Sequence, residues 1–62
     1  MKVGDLVRVQ YPGDDTWYSG FIVSVASEGD PLAFYQMYCT ERKTFHILNP
    51  RRDIIEVINE AR

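Results

Sequence analysis

VGDLVRVQY (Val3–Tyr11) and WYSGFIVSV (Trp17–Val25) are the stretches that decide how this chain folds. Both are rich in β-branched and aromatic residues, which suit a pleated, half-buried surface. Only PGDDT (Pro12–Thr16) separates them, and nearly every residue in that spacer favours a turn. Two such runs around a short Gly-containing loop read as a β-hairpin. In the first run Val7 and Val9 share one face, and Arg8 and Gln10 the other. In the second, Phe21-Ile22-Val23 is apolar on both faces, which predicts a central strand buried on two sides.

Working outward, Ser27–Pro31 is a turn signal with Gly and Pro two residues apart. The run Ala33–Thr40 places Phe34, Gln36 and Tyr38 on one face and Tyr35, Met37 and Cys39 on the other. Glu41–Lys43 then turns the chain into Thr44–Leu48, and Asn49-Pro50 ends that run because proline has no N–H to give a ladder. The last segment has two readings. As a helix, Asp53 caps it, Glu56 follows three residues on, and Ile54, Val57, Ile58 and Ala61 form a stripe. As a strand, Ile54–Ile58 is β-branched at four of five positions. The strand is preferred, because a fifth strand would close the seam of a four-stranded barrel and remove its unpaired edges.

With 62 residues there is room for one domain, 1–62, with one thin core. Such a chain buries only about 60% of its unfolded surface, and domains of this size often lean on disulfides, a metal or a partner subunit. Cys39 is the only cysteine, so no disulfide forms within one chain. Cys39 and the single histidine, His46, cannot complete a four-ligand zinc shell; no metal or cofactor is expected. Cys39 reads as a small buried hydrophobe, consistent with a reducing cytosol. No apolar stretch approaches the roughly 20 residues of a membrane span, and no signal peptide is evident, so a cytoplasmic location is expected.

Charge narrows the partners. Seven basic residues against nine acidic give a net charge of −2, which disfavours nucleic acid, whose binders draw affinity from neutralising phosphates. Arg42, Lys43, Arg51 and Arg52 are the exception: they would form a basic patch if they met on one face, or be solvated turn residues if they did not. Catalysis is poorly served. Cys39 and His46 fall on adjacent strands, but no orienting carboxylate or oxyanion-hole loop accompanies them. His46 is expected to face solvent. Asp14 and Asp15 are adjacent turn carboxylates, and no phosphate loop or metal-ligand spacing occurs. The sequence does not read as an enzyme.

A V-G-D-x-V-x-V strand, a W-Y-x-G-x-I-x-x-V strand, two more strands, a Pro-containing single turn and a short hydrophobic strand together resemble an SH3-like barrel, and within that group a Tudor-like domain. The chain is also similar to small uncharacterised proteins of tailed bacteriophages that open with M-K-V-G-D and close near E-V-I-N-E. The resemblance implies an all-β, five-stranded barrel with a short single-turn helix before the last strand. It also implies a cage of aromatics for a methylated Lys or Arg, at the positions of Tyr11, Tyr18 and Tyr38. Where the family has a fourth aromatic, this chain has Cys39-Thr40-Glu41.

Independently of the family, a meander places the first and third connections at one end of the fold. Tyr11, Trp17, Tyr18, Tyr38 and Phe45 are then expected at one rim, beside Asp14, Asp15 and Glu41. Aromatic faces among carboxylates attract cations, by roughly 0.5–2 kcal/mol per contact. The leading expectation is a protein-interaction module that holds a basic segment of a partner at this rim, a host protein if the chain is phage-encoded. The alternatives are a nucleic-acid-associated barrel using Arg42, Lys43, Arg51 and Arg52 with a stacking aromatic, and a structural homodimer whose thin core a second copy completes.

Overall fold

The spacer between the opening runs folds as its residues dictate. The Tyr11 carbonyl accepts a hydrogen bond from the Asp14 N–H at 3.0 Å, with Pro12 and Gly13 between them. Gly13 has φ 78°, the left-handed value that the third position of a type II turn requires. The computed structural model describes residues 1–26, 29–30 and 33–61. Its strands are β1 (Leu6–Gln10), β2 (Trp17–Ala26), β3 (Phe34–Cys39), β4 (Thr44–Leu48) and β5 (Ile54–Asn59). They form one antiparallel sheet in the order β4-β3-β2-β1-β5. The protein is all-β, and the described residues contain no helix. The turn expected at 27–31 lies mostly outside the described residues.

β2 is shared between two partners. Trp17–Phe21 pairs with β1, and Phe21–Ala26 pairs with β3. The handover occurs at Phe21, and at Gly20 just before it a Cβ would fall on the Tyr38 carbonyl oxygen and 2.7 Å from its carbonyl carbon. Only glycine permits this approach. Two residues later the register slips: Ile22 faces Met37, but Ser24 faces Gln36, which leaves Val23 as the extra residue of a β-bulge. Bulges bend and twist a strand, and this one keeps Ile22 and Val25, three apart, both turned toward the core. The expected two-sided burial of β2 is therefore corrected. Phe21 and Val23 are 44% and 40% exposed, because only one face of the bent strand meets the core.

The sheet rolls onto that face. Val7, Val9, Ile22, Met37, Cys39 and Leu48 form the buried core, with Tyr11, Tyr18, Val25, Tyr35 and Ile55 packed against it. Leu48 of β4 thus shares a core with Val7 and Val9 of β1, although two strands separate them in the sheet. The seam does not close by backbone pairing. β5 extends the sheet beside β1, and β4 and β5 remain its edges, so the expected closure by a fifth strand is corrected too. Where a single-turn helix was expected, Asn49–Asp53 is a turn. The Arg52 and Asp53 N–H groups both donate to the Asn49 carbonyl, at 3.0 and 2.8 Å.

Two buried aspartates fasten this architecture. Asp5 accepts hydrogen bonds from the backbone N–H groups of Ala61 at 2.7 Å and Lys2 at 2.9 Å, tying both ends of the described chain together. Gly4 lets them meet, since its Cβ would lie 2.9 Å from that of Ala61. Asp53 accepts from the Asn49 N–H and from the Arg52 guanidinium, each at 2.9 Å. The Ala61 N–H is the largest influence on Asp5 and lowers its pKa, outweighing burial. For Asp53 burial is the largest influence and opposes ionisation, but Arg52 and the Asn49 N–H together hold the carboxyl below its ordinary value.

Two outcomes follow. Gly20→Ala should destabilise the fold by about 2–3 kcal/mol or more through backbone overlap. Gly13→Ala, which meets no atom within 4 Å, should cost about 1 kcal/mol from its left-handed φ alone. Urea unfolding distinguishes them, and equal losses would contradict the packing at Gly20. Because Asp5 and Asp53 have lowered pKa values in the folded state, their stabilisation is complete above the unfolded carboxylate pKa. It is lost as pH falls through the folded values, below 3.8. Asp5→Asn should therefore destabilise more at pH 7 than at pH 3.

Candidate functional site

The rolled sheet brings the His46 ring to two tyrosine rings that the first hairpin already sets side by side. Tyr11 follows the last residue of β1, Tyr18 lies opposite Val9 on β2, and His46 lies opposite Met37 on β4. Ring centroids are 5.7 Å apart for Tyr11–Tyr18, 6.0 Å for Tyr11–His46 and 5.4 Å for Tyr18–His46. The Tyr11 hydroxyl is 3.0 Å from His46 Nδ1, and the Thr44 hydroxyl is 3.2 Å from Nε2. Both imidazole nitrogens thus have hydroxyl partners, which can donate or accept to suit either neutral tautomer.

The first hairpin loop supplies the charge. Asp14 Oδ1 accepts from the Thr16 N–H at 2.9 Å, and Oδ2 accepts from the Tyr18 hydroxyl at 3.0 Å. The Thr16 N–H, then the Tyr18 hydroxyl, hold the Asp14 carboxyl below its ordinary value. In return the bond to Asp14 raises the Tyr18 phenol pKa. Burial, helped by the charge of Asp53, raises that of Tyr11. Over the Tyr18 ring lies a guanidinium: Arg42 Cζ stands 4.5 Å from the centroid. Arg42 reaches it from the β3–β4 turn, where Lys43 adopts φ 55°. The result is a small platform of two phenols and an imidazole, with a carboxylate at its edge and a cation on its surface. Among the described residues no cavity is found, and no group of three or more His, Cys, Asp or Glu is placed to hold a metal.

The residues expected at one rim are divided. Tyr11, Tyr18 and Asp14 meet, with Asp15 exposed in the same loop and Glu41 exposed in the turn that carries Arg42. Tyr38 and Phe45 pair across β3 and β4 with centroids 5.0 Å apart, but on the outer face of the sheet, because Met37 and Cys39 occupy the inner one. Trp17 is also on the outer face, with Arg8 Cζ 4.5 Å above its ring. Arg8 in turn bonds Glu56 at 2.6 Å. The three tyrosines matched to a cage therefore do not converge, and His46 stands with Tyr11 and Tyr18 where Tyr38 was expected. His46 is half-buried between rings, not turned to solvent. Cys39 is buried in the core, as read from the sequence, and lies opposite Thr44 rather than His46.

The four basic residues do not share one patch. Arg42 and Lys43 precede β4 while Arg51 and Arg52 follow it, roughly 17 Å of strand apart. Arg52 is engaged by Asp53, and Arg51 Cζ stands 5.4 Å from the Phe34 ring centroid. Compared with known protein families and with curated proteins, the chain matches none.

Because the Tyr18 hydroxyl adds to the Thr16 N–H in lowering the Asp14 pKa, Tyr18→Phe should move it part of the way back up toward 3.8, while Tyr11→Phe leaves it in place. Carboxyl-carbon NMR titration of Asp14 measures both. Identical titrations in all three proteins would contradict the assigned bond.

Proposed function

We propose that this chain is a non-enzymatic protein-interaction module of SH3-like barrel type, which receives an arginine or lysine of a partner segment on the Tyr11–Tyr18–His46 platform. The strand order β4-β3-β2-β1-β5 and the long bent β2 support the barrel reading. One observation carries the functional reading: the chain's own Arg42 lies over Tyr18, whose hydroxyl is bonded to Asp14. A ring that already holds a guanidinium beside a carboxylate is chemically suited to a partner's guanidinium. Arg42 projects from an exposed turn and can give way to it. Asp15, exposed in the loop that carries Asp14, and Glu41, exposed in the turn that carries Arg42, add negative charge that favours a basic segment. The resemblance to small phage proteins would make that partner a cytoplasmic host protein.

Arg42 and an incoming cation compete for one ring, and this defines the test. A short peptide with one central arginine should shift the Tyr18 and His46 ring resonances on titration, and its citrulline analogue should not. Tyr18→Ala should abolish the effect. Arg42→Ala should tighten binding by about two- to thirtyfold, the equivalent of the roughly 0.5–2 kcal/mol of one cation–π contact. Unchanged affinity in Arg42→Ala, or no binding by the wild type at millimolar peptide, would refute the reading.

A further inference from the structure

We infer that the outer face of the sheet, opposite the core, joins a second copy of this chain. Four strands contribute one in-register row there: Leu6 pairs with Phe21, Phe21 with Tyr38, and Tyr38 with Phe45. The next row brings Ser24, Gln36 and Ile47 together, and Val23 is exposed at the bulge between them. No residue of either row carries a charge. Single exposed hydrophobes are ordinary, but a contiguous patch across four strands is the mark of a contact surface.

The area and the charge fit a second copy. Phe45 and Ile47 are 61% and 58% exposed, and with Phe21 and Val23 they leave uncovered the equivalent of about two whole apolar side chains, roughly 300–400 Å². A standard interface buries about 800 Å² per partner, about 65% of it apolar in homodimers. Those four side chains supply most of that apolar share, with half-buried Tyr38 between Phe21 and Phe45 and half-buried Leu6 at the β1 end of the row. In a twofold contact the same patch meets itself, so a charge near the axis would face its own copy. This patch is neutral, and Arg8 at its β1 border is already bound to Glu56. The Tyr11–Tyr18–His46 platform is on the opposite face and remains open in such a dimer.

Sedimentation equilibrium of the full chain from micromolar to millimolar concentration tests this. The expected result is a reversible dimer whose dissociation constant rises at least about tenfold in Phe45→Glu, where a charge would be buried unpaired. Tyr18→Phe, which keeps the ring packed against the core, should leave it unchanged. If Phe45→Glu does not fold by circular dichroism, Phe45→Thr keeps a strand-compatible residue and should still weaken the dimer. A wild type that stays monomeric throughout the range would overturn the inference, as would a folded Phe45 variant that dimerises like the wild type.

Discussion

At Gly20 the backbone of β2 comes so close to β3 that a Cβ would overlap the Tyr38 carbonyl. The bend allowed by that contact shapes everything around it. β2 leaves β1 and takes up β3 within one residue, and the Val23 bulge then returns the strand's apolar positions to the inner face. Without the bend, the five strands would make a flat sheet with one apolar side in water. With it, six side chains from four strands close on one another as a core. Such a core is thin, so the polar fastenings matter in proportion: Asp5 joins the two ends of the described chain, and Asp53 holds the turn into β5.

The same roll creates the candidate site. Tyr11 follows β1 and His46 lies on β4, strands with no shared hydrogen-bonding partner, and the two meet only because the sheet's open sides approach each other. Their hydroxyl–imidazole contact spans a seam that no backbone ladder closes. Cations elsewhere are seated on rings as well, Arg8 on Trp17 and Arg51 on Phe34. What sets Tyr18 apart is the carboxylate bonded to its hydroxyl and its place beside two further rings. The outer face has no such polarity. Its row of apolar side chains suits contact with another protein surface, so the two faces are chemically distinct.

Much of the architecture was legible in local chemistry. Alternation in β1 and β3, the Pro12-Gly13 turn and the Asn49-Pro50 stop each act within a few residues, and the strands formed where those signals placed them. The bulge was not legible. Phe21-Ile22-Val23 looks alike whether a strand is buried on both faces or bent with one face exposed, and only pairing with β3 distinguishes the two. The aromatic rim was legible in part. Tyr11, Tyr18 and Asp14 are neighbours through a short loop, so sequence proximity brought them together. Tyr38 sits between Met37 and Cys39, and their inward burial turned it to the other face. His46 was expected to face solvent, because its neighbours Tyr11 and Tyr18 come from the first hairpin, which reaches it only through the roll.

The most direct test of the account is whether Tyr11 and His46 touch. In a proton NOE experiment on the isotope-labelled chain, the rolled sheet predicts cross-peaks between the Tyr11 and His46 ring protons, together with the β1–β2 and β3–β4 ladder contacts. Intact ladders with no Tyr11–His46 cross-peak would mean that the sheet stays open, and would contradict both the core and the site described for it.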